Sequence, residues 1–505
     1  MVALLCLLVL AFHDVGYLLR EPYWNDESWV AVTVRFPLTQ LPAVTSTTPI
    51  GWSFLLRLFT FGHGQSGRLL PLAFAAVAVI PAYWLARRLE WKDNGAAILA
   101  GVLAAAAVLL VPAMLVRDDL KQYTADACMA LLVLAATARL ERRWSRRGLA
   151  LLSLAIWGGM LLSDAAAFAG AAALGAVCLL ELVRREWRRL GEAAVVAVVT
   201  ALLGLGVYKL FYARSVVPGL TRYWGAFYIP TGRGLGASVS FVVHQFAGIH
   251  SYFGLGPVWL AIPLVLAGLA TIGRLGRPAS AVAVVALWAE MLVLGALRKY
   301  PFLDLRTSTF LITITAVVAA IGVAGICAVV RTWLRDGALA AGVAIVLAAG
   351  ALLGFSIAAG PYVRSHLLPF EQTRQQTQYV EAHAGPADLI VVSANSNWGF
   401  AYYWPHGSPV TRRDRSNLQL YQAVFPAQPR IIVVRERDYA QVKASMTQAE
   451  RMIRPGMCRR IWLVRTQETA AEMSAWTAVL RSFGLTPRIG PGGVAEIQAG
   501  PASCR

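Results

Sequence analysis

Residues 68–92 read RLLPLAFAAVAVIPAYWLARRLEWK. Between Arg68 and Arg87 no charged side chain interrupts the run, which then stops in a cluster of arginine, glutamate and lysine. About 20 apolar residues in a helix cross the ~30 Å hydrocarbon layer of a bilayer, so this stretch is long enough for one crossing. Similar runs cover roughly residues 2–19, 95–114, 122–140, 149–163, 165–183, 192–212, 256–273, 279–297, 308–330 and 337–357. With 68–87 they predict eleven transmembrane helices. Composition agrees. Of the 505 residues 57% are hydrophobic and 14% charged, whereas soluble domains average about 25% charged. A large soluble core does not explain runs spaced so regularly.

The loops between the runs set the expected orientation. Arg87 to Lys92, Arg142 to Arg147, Arg184 to Arg189, Arg274 to Arg277 and Arg331 to Arg335 are basic, and they are every second loop. By the positive-inside rule the N-terminus is cytoplasmic, and the segments 20–67, 213–255 and everything after about 358 lie outside. The net charge of +19 is thereby read as a topology signal. A nucleic-acid partner, which needs that charge gathered on a soluble face, is not expected. The first run lacks a basic leader and a small-residue cleavage site, so it reads as an uncleaved span in the cell membrane.

Residues 358–505 alternate short β-like runs (387–392, 430–434, 461–464) with helical stretches, and predict a small extracytoplasmic α/β domain after a transmembrane module spanning 1–357. The domain contains no glycine-rich nucleotide loop. Its aromatics Trp398, Tyr402, Tyr403 and Trp404 are read as core rather than as a platform for a sugar ring. Cys6, Cys128, Cys178 and Cys327 sit in apolar runs as small hydrophobes. For Cys458 and Cys504, a disulfide outside the cytoplasm and two free thiols both remain open.

Three polar clusters stand on the outer side. Asp26 and Glu27 follow the first span within Trp24-Asn25-Asp26-Glu27-Ser28-Trp29. A carboxylate there is placed to act as a general base on an acceptor beside a membrane-held donor. The structural alternative is a helix start, with Asn25 as cap and two acids favouring the dipole. The second cluster is Arg117 to Asp126, in which Asp119, Tyr123 and Asp126 share one helix face and Asp126 lies just inside an apolar run. The third, Arg298 to Arg306, puts three basic residues where the orientation rule expects few. Arg68 is a similar exception. A lipid phosphate, gripped by guanidinium, accounts for them.

The order of these parts resembles the GT-C membrane glycosyltransferases that use polyprenyl-phosphate sugars, including protein O-mannosyltransferases and lipid A aminoarabinose transferases. The matching pieces are Trp24-Asn25-Asp26-Glu27, Thr47-Thr48-Pro49-Ile50-Gly51-Trp52, Arg68-Leu69-Leu70-Pro71, Lys121-Gln122-Tyr123 with Asp126, and Tyr300-Pro301 with Arg306. The resemblance implies an inverting transfer of sugar to an acceptor hydroxyl, with Asp26 as base, Glu27 as its support and Asp126 as a second acid. It places the donor phosphate among Arg68, Lys121, Tyr123, Lys299 and Arg306. Relatives often carry Lys-Pro-Pro or His-Pro-Pro where this chain has Thr48-Pro49-Ile50, so a basic group expected near the donor is missing. The implied partners are a polyprenyl-phosphate sugar, membrane lipid, and a glycan, lipid or protein acceptor. No cofactor is demanded, although Asp26, Glu27 and Asp126 have the oxygen ligands a divalent cation takes. The rival readings are a transporter or flippase, for which matched broken helices in two halves are wanting, a binding scaffold, and a polymerase or ligase of lipid-linked glycans.

Overall fold

The computed structural model describes residues 2–45, 48–60, 64–116, 119–213, 218–334, 337–366, 371–414, 420–435, 437–453, 459–466 and 468–499. Thr47, Arg117, Arg335, Cys458 and Cys504, all named above, lie outside the described residues, as does Asp118 of the second cluster. Each of the eleven apolar runs contains a helix of the bundle. Seven of these helices are long and apolar enough to cross a membrane: Ser66–Arg87, Tyr123–Arg142, Ala165–Val183, Trp187–Tyr212, Pro278–Ala296, Thr309–Trp333 and Gly337–Ala359. Val2–Phe12, Asn94–Leu110, Arg146–Leu162 and Val258–Arg274 are shorter. The chain is a membrane-embedded, multi-pass protein.

One expected span is not continuous. The run 2–19 forms Val2–Phe12, breaks at His13 and Asp14, and resumes as the single turn Val15–Leu18. Asp14 causes the break, because its carboxylate accepts the Tyr17 N–H at 2.9 Å and starts a new helix. The abandoned carbonyls of the first helix are satisfied elsewhere. Arg364 donates its backbone N–H to Phe12 O at 2.8 Å and its Nε to Ala11 O at 3.1 Å.

Thr309–Trp333 forms the axis of the bundle. Nearly every residue from Thr309 to Gly325 is buried, whereas Trp187–Val207 buries only Ala193 and Thr200 and presents Val195, Leu202 and Leu205 outward. Without a hydrophobic drive between helices in lipid, close backbone approach through small residues holds such a bundle. Gly268, Gly322 and Gly325 provide it. A Cβ at Gly322 would lie 2.2 Å from Leu264 O, and one at Gly268 would lie 2.0 Å from Val318 O.

All five basic loops gather at one end of the bundle. Arg277 pairs with Glu90 at 3.1 Å, Arg331 with Asp93 at 3.4 Å, and Arg146 with Glu192 at 3.1 Å. Glu141 accepts the Ala279 and Ser280 N–H groups that open Pro278–Ala296.

A sheet of five strands occupies the other end, in the order β4-β1-β5-β7-β6. Here β1 is Leu389–Val392, β2 Val410–Arg413, β3 Tyr421–Val424, β4 Ile431–Val433, β5 Arg459–Val464, β6 Arg488–Ile489 and β7 Ala495–Ala499. β4, β1 and β5 run parallel, β7 runs antiparallel to both β5 and β6, and β2 and β3 form a separate antiparallel pair. The period of two is clear. Leu389, Val391, Ile461 and Leu463 pack on the helices Tyr439–Met452 and Ala470–Ser482. Ile390, Val392, Trp462 and Val464 face Trp398, Phe400 and Tyr402, and their cluster continues unbroken into Tyr23, Trp29, Trp52 and Leu70. The four aromatics read as core are all buried.

Replacing Gly322 with valine should force Val258–Arg274 away from the axis helix. Overpacking of this kind costs about 1–3 kcal/mol, seen as a lowered thermal midpoint in detergent, whereas Gly350→Val, where the added carbon meets nothing, should leave it unchanged.

Candidate active site

Asn25–Thr33 is a helix at the sheet end of the bundle, and its first turn carries both acids. Neighbours on a helix point about 100° apart, so the two face different surroundings. Glu27 is 1% exposed and points inward to Arg68, which is equally buried. Arg68 Nε donates to Glu27 Oε1 at 2.8 Å, and Nη2 pairs closely with Oε2. The remaining guanidinium protons go to backbone carbonyls: Nη1 to Leu18 O at 2.7 Å and Glu21 O at 2.8 Å, and Nη2 to Pro22 O at 3.2 Å. All five N–H groups are thereby used. Arg68, expected at the donor phosphate, is instead the anchor of Glu27.

Asp26 points the other way, into a cavity of about 420 Å³. Its Oδ2 lies 3.4 Å from Arg306 Nη1 and 3.7 Å from Lys121 Nζ. Both cations are held by aromatic neighbours. Lys121 Nζ sits 4.9 Å from the Trp29 ring centroid, and the Arg306 guanidinium lies 5.4 Å from that of Trp224 while donating to Tyr223 OH at 2.9 Å. The loop presenting Arg306 is shaped by Asp304, whose carboxylate accepts the Arg306 and Thr307 N–H groups at 3.2 and 3.0 Å. It also contains two non-glycine residues at positive φ, Arg298 and Leu303, a conformation kept only where its surroundings enforce it.

Asp126 and Asp164 line the inner part of the same cavity. Asp126 Oδ1 accepts from Ser163 Oγ at 2.7 Å and from Ala165 N at 3.3 Å. Asp164, in the two-residue turn between Arg146–Leu162 and Ala165–Val183, accepts from Gln122 Nε2 and Tyr212 OH, both at 2.7 Å. Burial holds the Asp164 carboxyl above its ordinary value. Tyr212 reaches it from a π-helical turn, Tyr208–Tyr212, at the end of its span, a distortion that often marks functional sites.

Six of the eight residues singled out from sequence therefore meet around one cavity: Asp26, Lys121, Tyr123, Asp126, Lys299 and Arg306. Glu27 and Arg68 are absent from its lining. The three carboxylates considered for a divalent cation do not gather, since Glu27 is turned to Arg68, and no cluster of three metal-ligating side chains occurs among the described residues. Sequence reasoning missed Asp164, Tyr223, Trp224, Asn395 and Arg437, which also line the cavity. Asp164 had a signal, an acid in a turn too short to leave the membrane boundary. Asn395 and Arg437 had none, because they arrive from the sheet domain.

Glu371 was missed as well. Buried beside the first turn, it accepts the Asn25 N–H at 2.9 Å, and burial, reinforced by Asp26 and Glu27, pushes its carboxyl up to about 8. With a folded value above the unfolded one near 4.5, the native state binds the extra proton between these limits. Stability from this group is full below pH 4.5 and is lost as pH rises toward 8. Glu371→Gln keeps the acceptor and should flatten that decline, the gain over wild type growing by at most about 1.4 kcal/mol per pH unit in thermal unfolding across pH 5–8. Glu27→Ala leaves Arg68 buried without its anion and should cost about 3–5 kcal/mol in the same measurement.

No protein-family model and no curated protein matches the chain. Solved structures do. ArnT from Cupriavidus metallidurans bound to undecaprenyl phosphate aligns with 100% of this chain and 99% of its own, at TM-score 0.53 and 14% identity. Its apo state gives TM-score 0.54 at 15% identity, over 98% and 97% of the two chains. The oligosaccharyltransferase AglB from Archaeoglobus fulgidus, in complex with an inhibitory peptide and a dolichol-phosphate, aligns with 99% of this chain and 74% of its own, at TM-score 0.54 and 12% identity. The fold is that of the GT-C membrane glycosyltransferases, over the whole length of the chain.

Proposed function

We propose that the protein is an integral membrane glycosyltransferase that moves a sugar from a polyprenyl-phosphate carrier to an acceptor hydroxyl on the extracytoplasmic face, with inversion. The observation that carries this reading is the Asp26 carboxylate, which faces a cavity beside the membrane-spanning bundle and has two cations, Arg306 and Lys121, within 3.7 Å. ArnT binds undecaprenyl phosphate and AglB dolichol-phosphate in their structures, and the shared fold supports a carrier of that kind. The alternating loop charge supports a cytoplasmic N-terminus, and the membrane in this reading is the plasma membrane. The catalytic cavity and the module over 358–505 then stand outside.

In this reading Asp26 takes the proton of the acceptor hydroxyl as that oxygen bonds to the anomeric carbon. The bond from the anomeric carbon to the carrier phosphate breaks, and the electron pair leaves with the phosphate oxygen. Arg306 and Lys121, with Lys299 and Tyr123 nearby, stabilise the charge that gathers there, a contribution that is usually large when the groups are positioned in advance. Asp126 and Asp164 orient polar groups deeper in the cavity. Asn395 and Arg437, brought by the sheet domain, stand where an acceptor enters.

The test is transfer followed by mass spectrometry, with purified protein in lipid, polyprenyl-phosphate sugars as donors and envelope extracts as acceptors. Asp26→Asn should lower turnover by about 10²–10⁴-fold, the worth of a general base, with the thermal midpoint unchanged. Turnover near wild type would remove Asp26 from that role. Consumption of lipid diphosphate donors alone would move the protein to the polymerase or ligase class.

A further inference from the structure

Two sets of arginines at the basic end of the bundle differ in their partners. Arg146, Arg184, Arg188, Arg189, Arg277 and Arg331 each have a carboxylate within ion-pair distance. Arg88, Arg139, Arg142, Arg143 and Arg147 have no such ion pair among the described residues, and these five line one cleft of about 590 Å³. They come from three places in the chain: the end of Ser66–Arg87, the last turn of Tyr123–Arg142, and the start of Arg146–Leu162. Topology alone requires basic side chains on one side of the membrane. It does not require five guanidiniums to share a cleft without counter-charge. The strain shows at Arg88, held below the ordinary arginine value by burial and by Arg139, Arg142 and Arg87.

Two further features point to what relieves it. Ser145, the N-cap of the 17-residue helix Arg146–Leu162, and Gly148 in its first turn also line the cleft, so the positive end of that helix adds to the field. The cleft has one apolar lip. Leu151 belongs to its wall and is 46% exposed, and Leu154, one turn further toward the apolar belt, is 62% exposed. A soluble phosphate has no use for such a path, but an acyl chain does.

We propose that this cleft binds the phosphodiester headgroup of an anionic membrane lipid, its acyl chain running along Leu151 and Leu154. Basic pockets between spans are the usual seats of such headgroups. The site lies at the end of the bundle opposite the sheet and stands or falls independently of the transfer reaction.

Native mass spectrometry of the full-length protein tests it, with cardiolipin, phosphatidylglycerol or phosphatidylcholine added and inorganic pyrophosphate as competitor. One anionic lipid should be retained at least about tenfold in preference to phosphatidylcholine, with binding weakened by salt and unaffected by millimolar pyrophosphate. Arg139→Gln with Arg143→Gln should lower that preference about tenfold, whereas Arg184→Gln, at a paired position, should not. Should the double variant not fold, the exposed Arg147→Gln is read in the same way, with about a threefold loss expected. Equal retention of phosphatidylcholine, or no response to the cleft variants, overturns the proposal. Displacement by pyrophosphate overturns it too, by assigning the cleft to a soluble phosphate.

Discussion

The buried pair of Glu27 and Arg68 fixes the geometry on which the candidate site depends. Taking both charges out of water costs several kcal/mol per ion, so the pair adds little net stability. What it adds is direction. Arg68 stands at the start of the second span and binds three carbonyls of the incoming segment, at Leu18, Glu21 and Pro22. Tyr23 is wedged in fully buried, its ring centroid 5.0 Å from the guanidinium and its hydroxyl accepting the Gly67 N–H at 3.1 Å. With Glu27 pinned inward, the helix cannot rotate, and Asp26 is left facing the cavity.

The sheet domain completes this arrangement. Tyr403 accepts the Tyr23 N–H at 2.7 Å, Tyr402 donates to Gly64 O at 2.6 Å, and Glu371 holds Asn25 N. One face of the sheet, through Asn397–Tyr403, thus packs on the helix that carries Asp26. Asn395 and Arg437 are set on the cavity rim by the same docking. A shift of that domain would move Asn395, Arg437 and the first turn of the Asp26 helix together.

Local signals made much of this legible in the sequence. Apolar run length and alternate loop charge gave the helices and their order, and period-two strands gave the sheet. Asp26, Asp126 and Arg306 stood out because each breaks a local expectation, an acid or a base on the wrong side or depth, whereas Lys121 was marked only by the resemblance. Partners far apart in sequence were not legible. Arg68 shows why: a cation at an outer helix end looks the same whether it grips a phosphate or a glutamate 41 positions away. The interruption at Asp14 was masked by the hydrophobicity around it. Glu371, in a segment without a motif, becomes notable only when folding buries it.

The ion pairs of the site differ in a way that separates scaffold from chemistry. Glu27 and Arg68 meet in two close, aligned contacts with every donor filled, so neither partner can be exchanged without leaving a buried charge behind. Asp26 meets Arg306 and Lys121 at 3.4 and 3.7 Å, through side chains 16–22% exposed. These contacts are too long to be strong hydrogen bonds. On the proposed reading, a phosphate entering the cavity would draw both cations toward it at little cost to these contacts. Loose pairing leaves Asp26 and its two cations free to re-pair with whatever enters the cavity, while the rigid pair one residue along keeps the helix from following.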